Sequence, residues 1–94
     1  MYQIKPSRSF RKSYKRLVNS GRPGFIKATK EVVDELACGK ILDIKYKDHA
    51  LNGEYAGYRE CHIKPDLLLI YKLEKGVDTL FLTELGSHSE IFGL

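Results

Sequence analysis

The chain has 94 residues, 43% of them hydrophobic, and a formal net charge of +4. That is enough apolar material for one core and too little for two, so a single domain over residues 1–94 is expected. The longest uninterrupted apolar run is Leu67 to Tyr71, and Met1 to Lys5 has no apolar signal core, so neither a membrane span nor a secretory leader is expected and the cytoplasm is the expected location. The charge is uneven: residues 1–47 carry twelve Lys/Arg against four Asp/Glu, and residues 48–94 carry four against eight. A basic front half favours a polyanionic or acidic partner. Cys38 and Cys61 have no CxxC spacing and read as small buried hydrophobes in a reducing compartment.

In chain order, Tyr2-Gln3-Ile4 alternates as a short first strand that Pro6 stops. Ser7 can cap a helix whose apolar stripe is Phe10, Tyr14, Leu17 and Val18, with Arg8, Arg11, Lys12, Lys15 and Arg16 on the other side. After the Ser20 to Gly24 connector, a second amphipathic helix runs from about Phe25 to Ala37, with Gly39 as its glycine cap. The two form an antiparallel hairpin, and neither can bury its stripe without a sheet.

Residues 40–53 read as irregular, with Ile41, Leu42, Ile44 and Tyr46 as apolar anchors. A strand from about Glu54 to Ile63 places Tyr58, Glu60 and His62 on one face and Arg59, Cys61 and Ile63 on the other. Arg59 and His62 can share a site only if that strand is twisted or bulged. Leu67 to Leu73 reads as a strand buried on both faces, and a loop at 74–78 leads to a last strand, Thr79 to Leu85. The expected fold is α+β, in the order β-α-α-β-β-β, with a mainly antiparallel sheet, the helix hairpin on one face and the other face open.

The three histidines, His49, His62 and His88, all flank strands, and Asp66 sits at the turn after His62. No CxxC, HxxxH or HExxH spacing occurs, so no metal site is expected, and there is no glycine-rich phosphate loop or nucleophile elbow. Metal-free, cofactor-free acid and base work by histidine remains, since its ordinary pKa of about 6.5 allows it to take and return protons at neutral pH. RNA supplies its own nucleophile in the 2′-hydroxyl. Arg59, Lys47 or Lys64 provide cations for a phosphate, and Phe92 a plane for a base.

Lys47-Asp48-His49-Ala50-Leu51, Arg59-Glu60-Cys61-His62-Ile63-Lys64-Pro65-Asp66 and Gly86-Ser87-His88-Ser89-Glu90, in this order and spacing, resemble the YafQ branch of the RelE superfamily of bacterial toxins. The resemblance covers essentially the whole chain. It implies a RelE-like fold without an added C-terminal helix. It also implies the toxin of a type II toxin–antitoxin pair, a ribosome-dependent mRNA interferase that cuts without metal and leaves a 2′,3′-cyclic phosphate and a 5′-hydroxyl. His49, His62, Asp66 and His88 then become the acid, base and phosphate-site residues, and Phe92 contacts RNA. Leu67 stands where this branch commonly has tryptophan at the RNA, which removes a stacking plane. The implied partners are a cognate antitoxin, mRNA and the ribosome, with operator DNA reached only through the antitoxin complex. Two rival readings use the same scaffold: a catalytically weakened homologue that binds ribosome or antitoxin, and a binder of a protein target such as a topoisomerase.

Overall fold

In the computed structural model, residues 1–93 are described. They form β1 (Gln3–Pro6), α1 (Arg8–Asn19), α2 (Pro23–Ala37), β2 (His49–Ala50), β3 (Arg59–Lys64), β4 (Leu67–Glu74), β5 (Thr79–Gly86) and α3 (His88–Phe92). The strands make one five-stranded sheet in the order β1-β5-β4-β3-β2. Only the β1/β5 pair is parallel, and the rest are antiparallel. The α+β class and the β-α-α-β-β-β frame are as expected.

Local chemistry explains where the element bounds depart from expectation. Pro6 ends β1 rather than preceding its end, because β1 is an edge strand and a missing N–H is tolerated there. The strand expected from Glu54 begins at Arg59, since Gly53 (φ 66°) and Gly57 (φ 94°) bend the backbone out of the extended region and Gly53–Tyr55 forms a 3₁₀ turn. Within the stretch expected to be irregular, Ile44–Tyr46 forms another 3₁₀ turn and His49–Ala50 a short strand. Of its apolar anchors Leu42 is buried and Tyr46 packs on the core, whereas Ile41 and Ile44 lie in solvent. Cys61 is buried as expected, and Cys38 is exposed. The single-turn helix α3 was not expected.

The helix layer sits on one face. Phe10 of α1 and Val32, Leu36 and Ala37 of α2 join Cys61, Ile63, Leu67, Leu69, Tyr71, Leu80, Leu82 and Leu85 in one cluster. Alternation turns Leu68 and Ile70 to the opposite face, yet both are 0% exposed. That face, expected to be open, is therefore closed over its centre.

A register shift between Ile70 and Tyr71, whose partners are Glu84 and Leu82, leaves Thr83 as an extra residue in β5. The Thr83 carbonyl accepts a hydrogen bond from the Ser7 hydroxyl at 2.6 Å. The same Ser7 oxygen accepts from the Phe10 N–H at 2.9 Å, so one side chain caps α1 and ties it to the bulge. Replacing it (Ser7→Ala) is expected to cost about 1–2 kcal/mol of stability, read as a lower urea midpoint at unchanged slope.

Candidate active site

Cross-strand register builds the site on the face away from the helices. His49 lies opposite Glu60, Glu60 opposite Ile70, and Ile70 opposite Glu84, while His62 lies opposite Leu68 and Leu68 opposite Gly86. Glu60 and His62, two residues apart on β3, therefore point to the same side. Glu60 is 4% exposed, and its Oε1 lies 3.6 Å from His49 Nε2 and 3.3 Å from His62 Nε2. A carboxylate that deep needs polar company, and two imidazoles supply it. Glu60 was missed as a candidate, although an acid two residues before His62 on the same strand face was a readable signal.

His88 arrives from the other end of the sheet. Ser87 Oγ accepts from the Glu90 N–H at 3.1 Å and Glu90 Oε1 accepts from the Ser87 N–H at 2.8 Å, a capping box that starts α3. Gly86 leaves room for this fold-back, since a Cβ there would stand 3.0 Å from Glu90 Oε1. The Asp66 carboxylate accepts from the His88 N–H at 3.2 Å and lies 3.4 Å from its Nδ1, joining the β3/β4 turn to α3.

The rings form an unbroken run on this face. Centroids are 6.4 Å apart for His49 and His62, 5.7 Å for His62 and His88, and 6.2 Å for His88 and Phe92. The run continues through Tyr55, 5.8 Å from Phe92, to Tyr58 at 6.2 Å. Tyr55 and Tyr58 were also missed. Burial, with the nearby Glu84 and Glu54 charges, raises the Tyr55 pKa and keeps it neutral. Two tautomers follow from the partners. His49 Nδ1 is 2.7 Å from the Lys47 carbonyl, which can only accept, so the ring carries a proton on Nδ1, while Nε2 faces the Glu60 carboxylate at 3.6 Å. Asp66 likewise favours a proton on Nδ1 of His88.

His49, His62, Asp66, His88 and Phe92 are thus brought together, with Lys47 and Lys64 beside His62 around a recess of about 470 Å³. Arg59 and Leu67 are not. The β3 bulge falls between His62 and Lys64, too late to turn Arg59 over, and Arg59 instead pairs with Asp48 at 3.3 Å. Tyr71 OH donates to Asp48 Oδ1 at 2.7 Å. The bond to Asp48 raises the Arg59 pKa, and burial first and Asp48 second raise that of Tyr71 well above its ordinary value. Both groups thereby hold the residue next to His49, just after Lys47 in its left-handed conformation (φ 50°). Leu67 packs in the helix-side core.

Compared with known proteins, residues 2–93 match the profile of the family described as bacterial toxin of type II toxin-antitoxin system, YafQ. The chain belongs to the YafQ toxin family. An mRNA interferase toxin YafQ of Escherichia coli K12 is 49% identical over 53 residues, 55% of this chain and 54% of that protein, so the matched segment spans about half the length of that relative. Solved structures match over nearly the whole chain. A metal-bound toxin from Helicobacter pylori is 49% identical with a TM-score of 0.89, covering 98% of this chain and 100% of that one. The E. coli DinJ–YafQ complex is 31% identical with a TM-score of 0.87, covering 99% and 100%.

The lack of a metal-ligand spacing in the sequence does not carry over to space. Glu60, His62 and His88 each place a ligating atom within 4.8 Å of the others. One carboxylate and two imidazoles suit zinc or copper in donor type, with the separation closing by about an ångström on tetrahedral coordination.

Two outcomes follow from the buried groups. Tyr71 is protonated in the folded state beyond its ordinary pKa of 10.0, so the unfolded chain releases that proton first as pH rises. Stability should hold below about pH 10 and fall above it, and Tyr71→Phe should flatten that fall while losing about 1–2 kcal/mol at neutral pH, both measured by urea unfolding across pH. Burial pushes the Cys61 thiol up to about 12, so a thiol reagent at pH 8 should label Cys38 rapidly and Cys61 only on unfolding.

Proposed function

We propose that this chain is the toxin of a type II toxin–antitoxin pair and an endoribonuclease that cuts mRNA on the ribosome by histidine acid and base catalysis without metal. The observation that carries this reading is the row of three imidazoles over the sheet, in which His49 and His88 each have Nδ1 engaged by an acceptor and Glu60 stands against the Nε2 atoms of His49 and His62. One outer imidazole takes the proton of the 2′-hydroxyl, O2′ attacks phosphorus, and the P–O5′ bond breaks. The other outer imidazole, entering protonated, gives its proton to O5′. The products are a 2′,3′-cyclic phosphate and a 5′-hydroxyl, and the two rings exchange protonation states between turnovers. Each such transfer typically contributes ~10²–10⁴ in rate.

His62, between the outer rings and against Glu60, serves as the group facing the phosphate, with Lys47 and Lys64 adding charge at the recess. Asp66 and Glu60 orient rings. Phe92 stacks on a base beside His88. Arg59 acts on RNA only indirectly, through the Asp48 clamp, and Leu67 only by packing. Alignment of the strand for in-line attack is left to the ribosome, so free RNA is a poor substrate. A cognate antitoxin blocks the site, drawn by the basic front half, and operator DNA is met only through that complex.

An ion held by Glu60, His62 and His88 would supply Lewis acidity toward a phosphate oxygen, and it would occupy nitrogen lone pairs that the proton transfers require. The two uses compete. Primer extension on programmed ribosomes tests them together. Codon-phased cuts that persist in EDTA, slow under saturating Zn²⁺ and drop by about 10²-fold or more in His88→Ala are expected. Cuts lost in EDTA and restored by Zn²⁺ would replace the metal-free reading, and an intact message despite ribosome binding would leave a binding homologue.

A further inference from the structure

Beside the histidine site, a cleft of about 450 Å³ opens between the helix hairpin and the β3/β4 turn, with Arg16, Arg22, Phe25, Lys64, Asp66 and Ser87 in its walls. Its volume lies within the ~300–1,000 Å³ range of small-ligand sites. Its charges are not equivalent. Glu90 is held by Arg16 at 3.6 Å and by the Ser87 N–H, and Asp66 is held by His88. Arg22 and Lys64 take part in none of the ion pairs formed among the described residues.

What gathers these two cations is Phe25. The Arg22 guanidinium carbon stands 5.2 Å from the centroid of its ring and Lys64 Nζ 6.0 Å. They come from distant parts of the chain, the residue before α2 and the end of β3, and like charges gathered within 6.0 Å of one ring centroid repel unless something attracts both. The ring quadrupole does so. The result is a pair of uncompensated cations held by an aromatic ring, where Lys64 is two residues beyond His62 and also lines the recess on the histidine side.

We propose that Arg22 and Lys64, seated on Phe25, form a clamp for one phosphodiester of the substrate RNA strand next to the linkage being cut. The clamp rests on the nuclease reading for its choice of strand. A fork of guanidinium donors and an ammonium lining one cleft around a shared ring suit the two non-bridging oxygens of a single phosphate. Its distance from the reacting rings makes it a positioning device: it fixes the strand so that the scissile linkage lies in line, and Arg22 is a positioning residue, with no proton to transfer.

The test uses the full chain and a short RNA made uncleavable by one 2′-deoxy sugar at the scissile position, so cleavage is not needed for a readout. Single phosphates on either side are replaced in turn by neutral methylphosphonates, and affinity is followed by fluorescence anisotropy. For the unaltered protein, one flanking position should cost about tenfold in affinity. In Arg22→Gln the same replacement should cost less than about twofold, and the salt slope should fall by about 0.7, while Lys75→Gln, an exposed cation in the distant β4/β5 turn, keeps the tenfold penalty. Phe25→Leu, at constant charge, should also shrink the penalty. A penalty unchanged in Arg22→Gln, an absence of any position-dependent penalty, or loss of ribosome affinity with oligonucleotide binding intact would each overturn the clamp. Position-dependent binding without cuts on ribosomes would uphold the clamp and sink the nuclease reading.

Discussion

Leu68 and Ile70 have to be kept from water, and the helices are on the wrong side to do it. A five-residue apolar run in the middle of the sheet makes the second face as apolar as the first, and both of its outward residues are fully buried. The rings on that side come from β2, the 51–58 loop, β3 and the C-terminal turn: Tyr58, Tyr55, Phe92, His88, His62 and His49 in continuous contact. Aromatic and imidazole rings are both apolar faces with polar edges, so they shield a floor of leucine and isoleucine while presenting nitrogens outward. The site is built from the same groups that close the second face. Removing a ring from this row therefore also uncovers core.

How much of this was legible depends on the range of the interaction concerned. His49, His62, Asp66 and His88 stood out because each flanks a strand, and strand order brings strand ends together. The frame of the fold followed from two helical stripes and three apolar runs. Glu60 was assigned to the correct face by alternation yet passed over, because its importance comes from a partner eleven residues back, His49, whose two-residue strand has no pattern of its own. Arg59 shows the opposite failure. As a cation inside the most chemically suggestive stretch it read as an RNA contact, and only the positions of Asp48 and Tyr71 reveal it as a loop anchor.

Leu67 is instructive for the same reason. Expected at the RNA, this residue sits inside the core, and the aromatic ring beside His88 is Phe92. Phe92 comes from α3, an element whose one sign in the sequence is the Ser87 and Glu90 capping pair.

The geometry that suits proton transfer and the geometry that suits a metal ion are here one arrangement. Both need imidazole lone pairs converging without steric block, and both need a carboxylate to set tautomers and offset charge. What separates them is where the second nitrogen goes. His49 has Nδ1 committed to the Lys47 carbonyl and His88 to Asp66, which leaves each with one other nitrogen, and that of His49 faces Glu60 at 3.6 Å. His62 has Nε2 against Glu60 and no acceptor for Nδ1 among the hydrogen bonds of the described side chains. A ligand set of Glu60, His62 and His88 therefore draws on only one of the two outer rings, and leaves His49 with its own carbonyl. Under the proposed mechanism, an ion in that set would engage one of the two outer rings and leave His49, which it does not reach.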